Sequence, residues 1–262
     1  MKPFLFLVAL AAAAPIGAQE MVSVASRPGV TQSFVIFKPG DEKPLAIALL
    51  FTGGGGRIGV RSEGGKVSFR SHNFLVRAAP EFARNGVLPV AMDAPSDESE
   101  LSDGYRTGAA QTADARAALA ELKHRYPDLP VYLVGTSRGT ISAAVLAREL
   151  GQEVAGVALT STMFGSANRR RQAPSLRDFD YRAIRTRLLF VHHRADGCEH
   201  TPYHSALRLA ERYPLISITG GKPAESGPCE PYSAHGYFGR ERETAAAIAA
   251  WMLGRPFPKD ID

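Results

Sequence analysis

The sequence predicts an α/β domain with a mostly parallel sheet and helices on both faces, and three observations lead there. Apolar runs of strand length alternate with single segments of helical periodicity, an order that yields parallel strands joined by crossover helices. Some strand runs are apolar throughout, as strands covered on both faces must be. The motif Gly135-Thr136-Ser137-Arg138-Gly139 stands where one such run passes into an alanine-rich helical segment, and this strand-turn-helix junction presents its central serine.

The elements follow in order. Residues 1–18 precede the domain: Lys2, an apolar stretch over residues 4–14 and Pro15-Ile16-Gly17-Ala18 have the basic, apolar and small-residue regions of a secretory signal peptide, so the mature chain is expected to begin near Gln19. That stretch is too short to span a bilayer, and no other run reaches about 18 apolar residues, so no membrane span is predicted. Phe34-Val35-Ile36-Phe37 before Lys38-Pro39-Gly40 reads as a strand entering a turn, and residues 45–51 read as a buried strand. Residues 74–84 have apolar positions at helical spacing and stop at Asn85-Gly86. Residues 87–92 form a strand, and residues 107–126 an alanine-rich helix halted by Pro127. Val131-Tyr132-Leu133-Val134 is the strand before the serine motif, and residues 141–150 are the helix after it, ending at Gly151. Residues 154–159 and 187–191 are further strands. Residues 202–213 are a helix capped by Thr201, residues 215–219 a strand and residues 240–253 the last helix. With no repeat, low-complexity segment or linker, residues 19–262 read as one domain.

Composition narrows the function classes. The chain has 262 residues, 45% hydrophobic and 22% charged, which describes an ordinary globular protein. The net charge of +5 is mostly scattered arginine, and the one cluster, Arg169-Arg170-Arg171, reads as a solvated loop, so no nucleic-acid partner is expected. The only cysteines, Cys198 and Cys229, both lie in the exported part, where an oxidising compartment favours a disulfide. Closing that loop of about 30 residues stabilises the fold by about 3–4 kcal/mol.

A serine hydroxyl is a poor nucleophile at neutral pH and needs a base to accept its proton and an acid to orient the base. Asp196 follows the strand over residues 187–191 within a few residues, and His235 lies in Ser233-Ala234-His235-Gly236, between the last strand and the last helix. Acyl transfer also needs backbone donors for the developing oxyanion, and Thr52-Gly53-Gly54-Gly55-Gly56 supplies a loop free to bend after the strand ending at Phe51. No Gly-Lys-Ser/Thr follows these glycines, so a phosphate-binding loop is not indicated. Cys198 is two residues after Asp196 and Cys229 six before His235, so a disulfide would tie the acid loop to the base loop.

Other residues compete for attention. His192, His193, Asp196, His200 and His204 lie close in sequence, but adjacent histidines at a strand end point to opposite faces and no H-x-x-x-H helix face is formed, so no metal site is predicted. One of His192 and His193 is expected beside the site and the remaining histidines at the surface. Asp178, Asp180 and Glu199 are alternative acids, Asp93 is either a pocket residue or a turn cap, and Ser161 and Ser166 read as ordinary loop serines. Arg57, Arg61, Arg70 and Arg138 lie near the expected mouth, where an anionic substrate group and plain solvation compete as explanations.

On these motifs the chain resembles the α/β-hydrolase superfamily, in particular serine esterases with little or no lid, from the Phe34 strand to the Leu253 helix. The resemblance implies Ser137 as nucleophile, His235 as general base and acid, Asp196 as the orienting carboxylate, and the backbone N–H groups of Gly54 and Arg138 as oxyanion donors. Thr52 stands where the esterase HGGG loop has histidine, which leaves the donor within Gly53-Gly54-Gly55-Gly56 open by a residue. No cofactor and no metal are implied. The expected reaction is carboxylic-ester hydrolysis through an acyl-enzyme, on a small-molecule or polymeric ester, by a periplasmic or secreted protein. Residues 160–182, where many relatives insert a helical lid, are short and polar and favour an open site. A peptidase, amidase or acyltransferase on the same triad, and a non-catalytic binding module, are the alternatives.

Overall fold

The computed structural model of the chain describes residues 18–38, 40, 43–165 and 175–262. The signal peptide expected over residues 1–18, apart from Ala18, lies outside the described residues, as do Ser166 and Arg169-Arg170-Arg171.

The strands among the described residues are β1 (Gln19–Arg27), β2 (Val30–Phe37), β3 (Ala46–Phe51), β4 (Arg61–Glu63), β5 (Lys66–Ser68), β6 (Val87–Met92), β7 (Val131–Ser137), β8 (Gly156–Thr162), β9 (Arg187–His193), β10 (Leu215–Ile218) and β11 (Asp260–Ile261). The helices are α1 (Phe74–Arg84), α2 (Asp103–Thr107), α3 (Ala109–Arg125), α4 (Gly139–Leu150), α5 (Tyr203–Leu209) and α6 (Glu241–Met252). Nine strands form one sheet in the order β1-β2-β6-β3-β7-β8-β9-β10-β11, while β4 and β5 make a separate hairpin. Pairing is antiparallel from β1 through β2 to β6 and parallel across the rest. The expected fold class is the one observed.

The central strands β3, β6 and β8 are buried at every position, because the sheet carries apolar layers on both faces. One core includes Leu49, Leu133, Leu159 and Phe190 with Leu119 of α3 and Leu146 of α4. The other joins Ala48, Leu50 and Val134 to Phe82 of α1 and Ile248 and Trp251 of α6.

Several boundaries differ from expectation for local reasons. The helix expected over residues 107–126 is two helices, because Gly108 is extended (φ −97°, ψ 169°) and breaks the run, while Ser102 starts α2 by accepting the Tyr105 N–H. Helix α5 covers only Tyr203–Leu209, and Thr201 does not cap it: Pro202 takes the cap position with no side-chain bond, and the Thr201 hydroxyl is engaged elsewhere. The strands β1, β4, β5 and β11, not expected from sequence, are edge or hairpin strands with little continuous apolar pattern.

The topology fixes where a site forms. From β3 the chain crosses to β6 on one side and then returns to β7 on the other side of β3. In such sheets the crevice at the carboxyl ends of the two diverging strands is the natural binding place. The loop after β3 is the Thr52-Gly53-Gly54-Gly55-Gly56 run, and β7 ends at Ser137.

Candidate active site

Ser137 is the last residue of β7 and has a left-handed backbone, φ 53°, which costs a non-glycine residue on the order of 1–3 kcal/mol. The turn is held from both sides. The Thr140 hydroxyl donates to Ser137 O (2.6 Å) and accepts the Met163 N–H (3.0 Å), which ties the start of α4 to the end of β8. The flanking glycines are required by close approach: a Cβ on Gly135 would lie 2.5 Å from Gly139 O, and one on Gly139 would lie 2.1 Å from Phe51 O.

Asp196 lies in the turn after β9, its side chain fully buried. Its Oδ1 accepts the Cys198 N–H (2.9 Å), and its Oδ2 accepts from the Thr201 hydroxyl (2.8 Å) and from His235 Nδ1 (3.1 Å). With a carboxylate on Nδ1, the imidazole carries its proton there and leaves Nε2 free to accept another. His235 is in a short 3-10 turn, Ala234–Gly236, capped by Ser233, whose hydroxyl accepts the His235 N–H (3.2 Å). Ser161 Oγ donates to His235 O (2.9 Å), and Arg77 donates to Gly236 O (2.9 Å) while pairing with Glu241 (2.8 Å). The Cys198–Cys229 disulfide is present and joins the loop of Asp196 to the loop that leads to His235.

Ser137 and His235 line one cavity of about 360 Å³, together with Gly53, Gly54, Gly55 and Arg57. No hydrogen bond joins Ser137 Oγ to the imidazole in this structure; such bonds often tighten only when substrate is bound. Gly53 touches the serine, since a Cβ there would lie 2.8 Å from Ser137 Cβ. Within the glycine run the Gly56 N–H is already bonded to Gly53 O (3.0 Å), which removes it as an oxyanion donor. Arg138 begins α4 with helical backbone (φ −56°), and its side chain pairs with Asp103.

The remaining singled-out residues take structural places. Asp93 gathers the N–H groups of Ile58 (2.8 Å), Gly59 (3.2 Å) and Val60 (3.0 Å), fixing the chain that leaves the glycine run. Asp180 is exposed and caps a 3-10 turn through the Arg182 N–H, and Glu199 is exposed beside His200. Neither reaches His235, whose carboxylate partner is Asp196. His192 is fully buried, accepts the Thr162 N–H on Nε2 (2.7 Å) and stacks on Phe164; burial pushes its pKa down to about 3. His193 is also buried, its Nδ1 accepting the Ala195 N–H and its Nε2 bonded to Gly220 O. Arg57, Arg61 and Arg70 are exposed.

Sequence reasoning missed three supports of the site. Ser161 is no loop serine: it is fully buried at the end of β8 with φ 44°. Tyr237, also at positive φ (56°), accepts the Ser161 N–H on its hydroxyl (2.9 Å), which lies 3.0 Å from Ser161 Oγ and donates to Val191 O (2.7 Å), and burial raises its pKa. Thr201 holds the carboxylate. An aromatic and a serine far apart in sequence carry no local signal that they meet.

No protein-family model and no curated relative matches the chain. Solved structures do. An α/β serine hydrolase of Xanthomonas campestris, described as lacking a lid, superposes with a TM-score of 0.60 at 14% identity, over 94% of this chain and 100% of that one. Est1E of Butyrivibrio proteoclasticus gives 0.61 at 13% identity, over 89% and 98%. An esterase of Pyrobaculum calidifontis gives 0.57 at 16% identity, over 92% and 86%. At these identities the likeness is one of fold, and the fold of this chain is that of the α/β-hydrolases.

Proposed function

We propose that this protein is a serine hydrolase that cleaves carboxylic esters through an acyl-enzyme intermediate. One observation carries the reading: a serine held at left-handed φ at the switch point of the sheet shares a cavity with a histidine whose Nδ1 is bonded to a buried carboxylate. In this reading Ser137 Oγ attacks the ester carbonyl as His235 Nε2 takes its proton. Asp196 holds the ring and stabilises the imidazolium, and the Arg138 N–H and the glycine loop around Gly54 receive the oxyanion. The alcohol leaves with the proton returned by His235, and a water activated by the same ring releases the acid. The esterases and serine hydrolases that share the fold support the class of chemistry.

Export is part of the proposal, supported by the disulfide and by the leader-like residues 1–18. No helix among the described residues is long and apolar enough to cross a membrane.

The test is intact-mass spectrometry after incubation with a fluorophosphonate, with Ser137→Ala and His235→Ala alongside. The expected result is one adduct on the wild type, lost in both variants, with turnover of p-nitrophenyl acetate falling by about 10³-fold or more. An unlabelled, folded wild type would remove the activated serine and leave a binding module. Matched ester and amide substrates then separate esterase from amidase.

A further inference from the structure

Arg106, in α2, is fully buried and has no ion-pair partner among the described residues. A buried cation left unpaired is expensive, so its retention asks for a reason. Its contacts supply one. Nη2 donates to Gly54 O (3.0 Å), inside the glycine run, and Nη1 donates to Ser142 Oγ (3.1 Å) on α4, the helix that follows Ser137. The seat is built to fit: a Cβ on Gly56, at φ +74°, would lie 2.6 Å from Arg106 Nη2. Burial, with the nearby charge of Arg138, lowers the Arg106 pKa to about 10, which leaves it charged at neutral pH.

Behind the glycine run lies a second, small cavity of about 20 Å³, bordered by Thr52, Arg106 and Gln111. Thr52 Oγ1, Arg106 Nε and Gln111 Oε1 are all buried there with no hydrogen-bond partner. The orientation of the Gln111 amide is fixed, because its Nε2 donates to Arg106 O (2.7 Å). The volume suits a single water molecule, which needs two to four polar partners. One water satisfies all three groups by accepting from Arg106 Nε–H, donating to Gln111 Oε1 and bonding the Thr52 hydroxyl. An anion would face the Gln111 carbonyl oxygen, and a cation would face Arg106.

We infer that Arg106, with one water molecule shared among its Nε, Thr52 and Gln111, is the positioning residue that sets the conformation of the glycine loop in front of Ser137. The Gly53 carbonyl is tied to the Gly56 N–H and the Gly54 carbonyl to Arg106, so both peptide planes flanking Gly54 are held. In a trans peptide the N–H points opposite to the C=O. The N–H groups of Gly54 and Gly55 are therefore turned away from these two anchors, on the strand of backbone that lines the Ser137 cavity. The catalytic consequence rests on the hydrolase reading; the water site and the loop anchor do not.

Arg106→Met, Arg106→Lys and Gln111→Leu test this against the wild type, with kcat and KM on p-nitrophenyl acetate, thermal melting, and crystal structures of the wild type and Arg106→Met. The wild-type crystal is expected to show one water within about 3.2 Å of Arg106 Nε, Thr52 Oγ1 and Gln111 Oε1. Arg106→Met is expected to lose about 10²-fold or more in kcat, the size of an oxyanion-donor loss, with KM within about threefold and a displaced Gly54 carbonyl. Arg106→Lys, which reaches one anchor, falls between. Gln111→Leu, which removes only the water's acceptor, loses a smaller factor and keeps the fold if Arg106→Met does not. Full kcat in Arg106→Met or Arg106→Lys, an unmoved Gly54 carbonyl, or a dry or ion-filled cavity overturns the inference. If the wild type itself neither turns over esters nor takes a fluorophosphonate, the hydrolase reading fails, and the crystal structures still decide the water and the anchor.

Discussion

His192 shows how a single buried residue ties the site to pH. Its Nε2 must stay an acceptor for the Thr162 N–H, and burial lowers its pKa from 6.5 to about 3. Between those values the unfolded chain binds a proton that the folded chain does not. Stability from this group is therefore complete above pH 6.5 and is lost as pH falls toward 3, by at most about 1.4 kcal/mol per pH unit. Urea unfolding at pH 7, 5.5 and 4 should show wild type losing more stability on acidification than His192→Gln; parallel losses would rule this residue out as the cause. Thr201 makes the complementary case. Its hydroxyl bonds the Asp196 oxygen that also holds His235, a charge-assisted bond worth about 1.5–3 kcal/mol. Thr201→Val should lower kcat about 10-fold with KM little changed, and Thr201→Ser should restore it. A Val variant with normal kcat would reduce Thr201 to packing. Neither role was readable from sequence: Thr201 sits before a helix, where a threonine signals a cap, and its hydroxyl was taken instead by a carboxylate five residues earlier.

Among elements, those whose pattern is imposed by burial were legible and those defined by pairing or by one backbone torsion were not. The runs giving α1 and β6 match their boundaries because apolar periodicity and a stop at Asn85-Gly86 act locally. The break at Gly108 leaves no local signal, because the alanine-rich periodicity resumes directly after it. Likewise β11 exists because Asp260 and Ile261 find β10, a partner no local window contains. Ser137 and Asp196 stand at or just past the ends of β7 and β9, whereas His235 lies well beyond β10 in the loop before α6, where the sequence offered only its place ahead of the last helix. The disulfide acts at this scale, between the loop after β9 and the loop before α6. Replacing Cys198 and Cys229 by serine should remove about 3–4 kcal/mol, lowering the melting temperature by about 10 °C. It should also reduce kcat, because the loops carrying Asp196 and His235 lose their shared tether. A variant that melts lower yet keeps full kcat would confine the bond to stability.

Across the whole molecule, the two apolar layers take up nearly all the large hydrophobic side chains of the described residues, and on the hydrolase reading what is left outside them bears on the kind of ester that would fit. Among the described residues the exposed large hydrophobics are Leu45 and Leu207. Leu45 precedes the amino end of β3, opposite the end that carries Thr52, so it offers no apolar rim to the Ser137 cavity. The cavity itself is bordered by Arg57, Ser71, His72, Asn73 and Glu230, with Phe74 and Pro231 as its apolar members. On the hydrolase reading a long acyl chain would gain about 0.8 kcal/mol for each methylene that finds apolar cover, and Phe74 and Pro231 are the apolar side chains at hand to supply it. We therefore expect kcat/KM for p-nitrophenyl esters to rise no further beyond a four-carbon acyl group, and dispersed long-chain esters to give no interfacial activation, because Leu45 and Leu207, the exposed large hydrophobics among the described residues, form no apolar patch beside the Ser137 cavity. Initial rates on acetate, butyrate, octanoate and laurate esters below their aggregation limits measure this directly. A laurate ester turned over as efficiently as the butyrate would overturn this reading of the cavity.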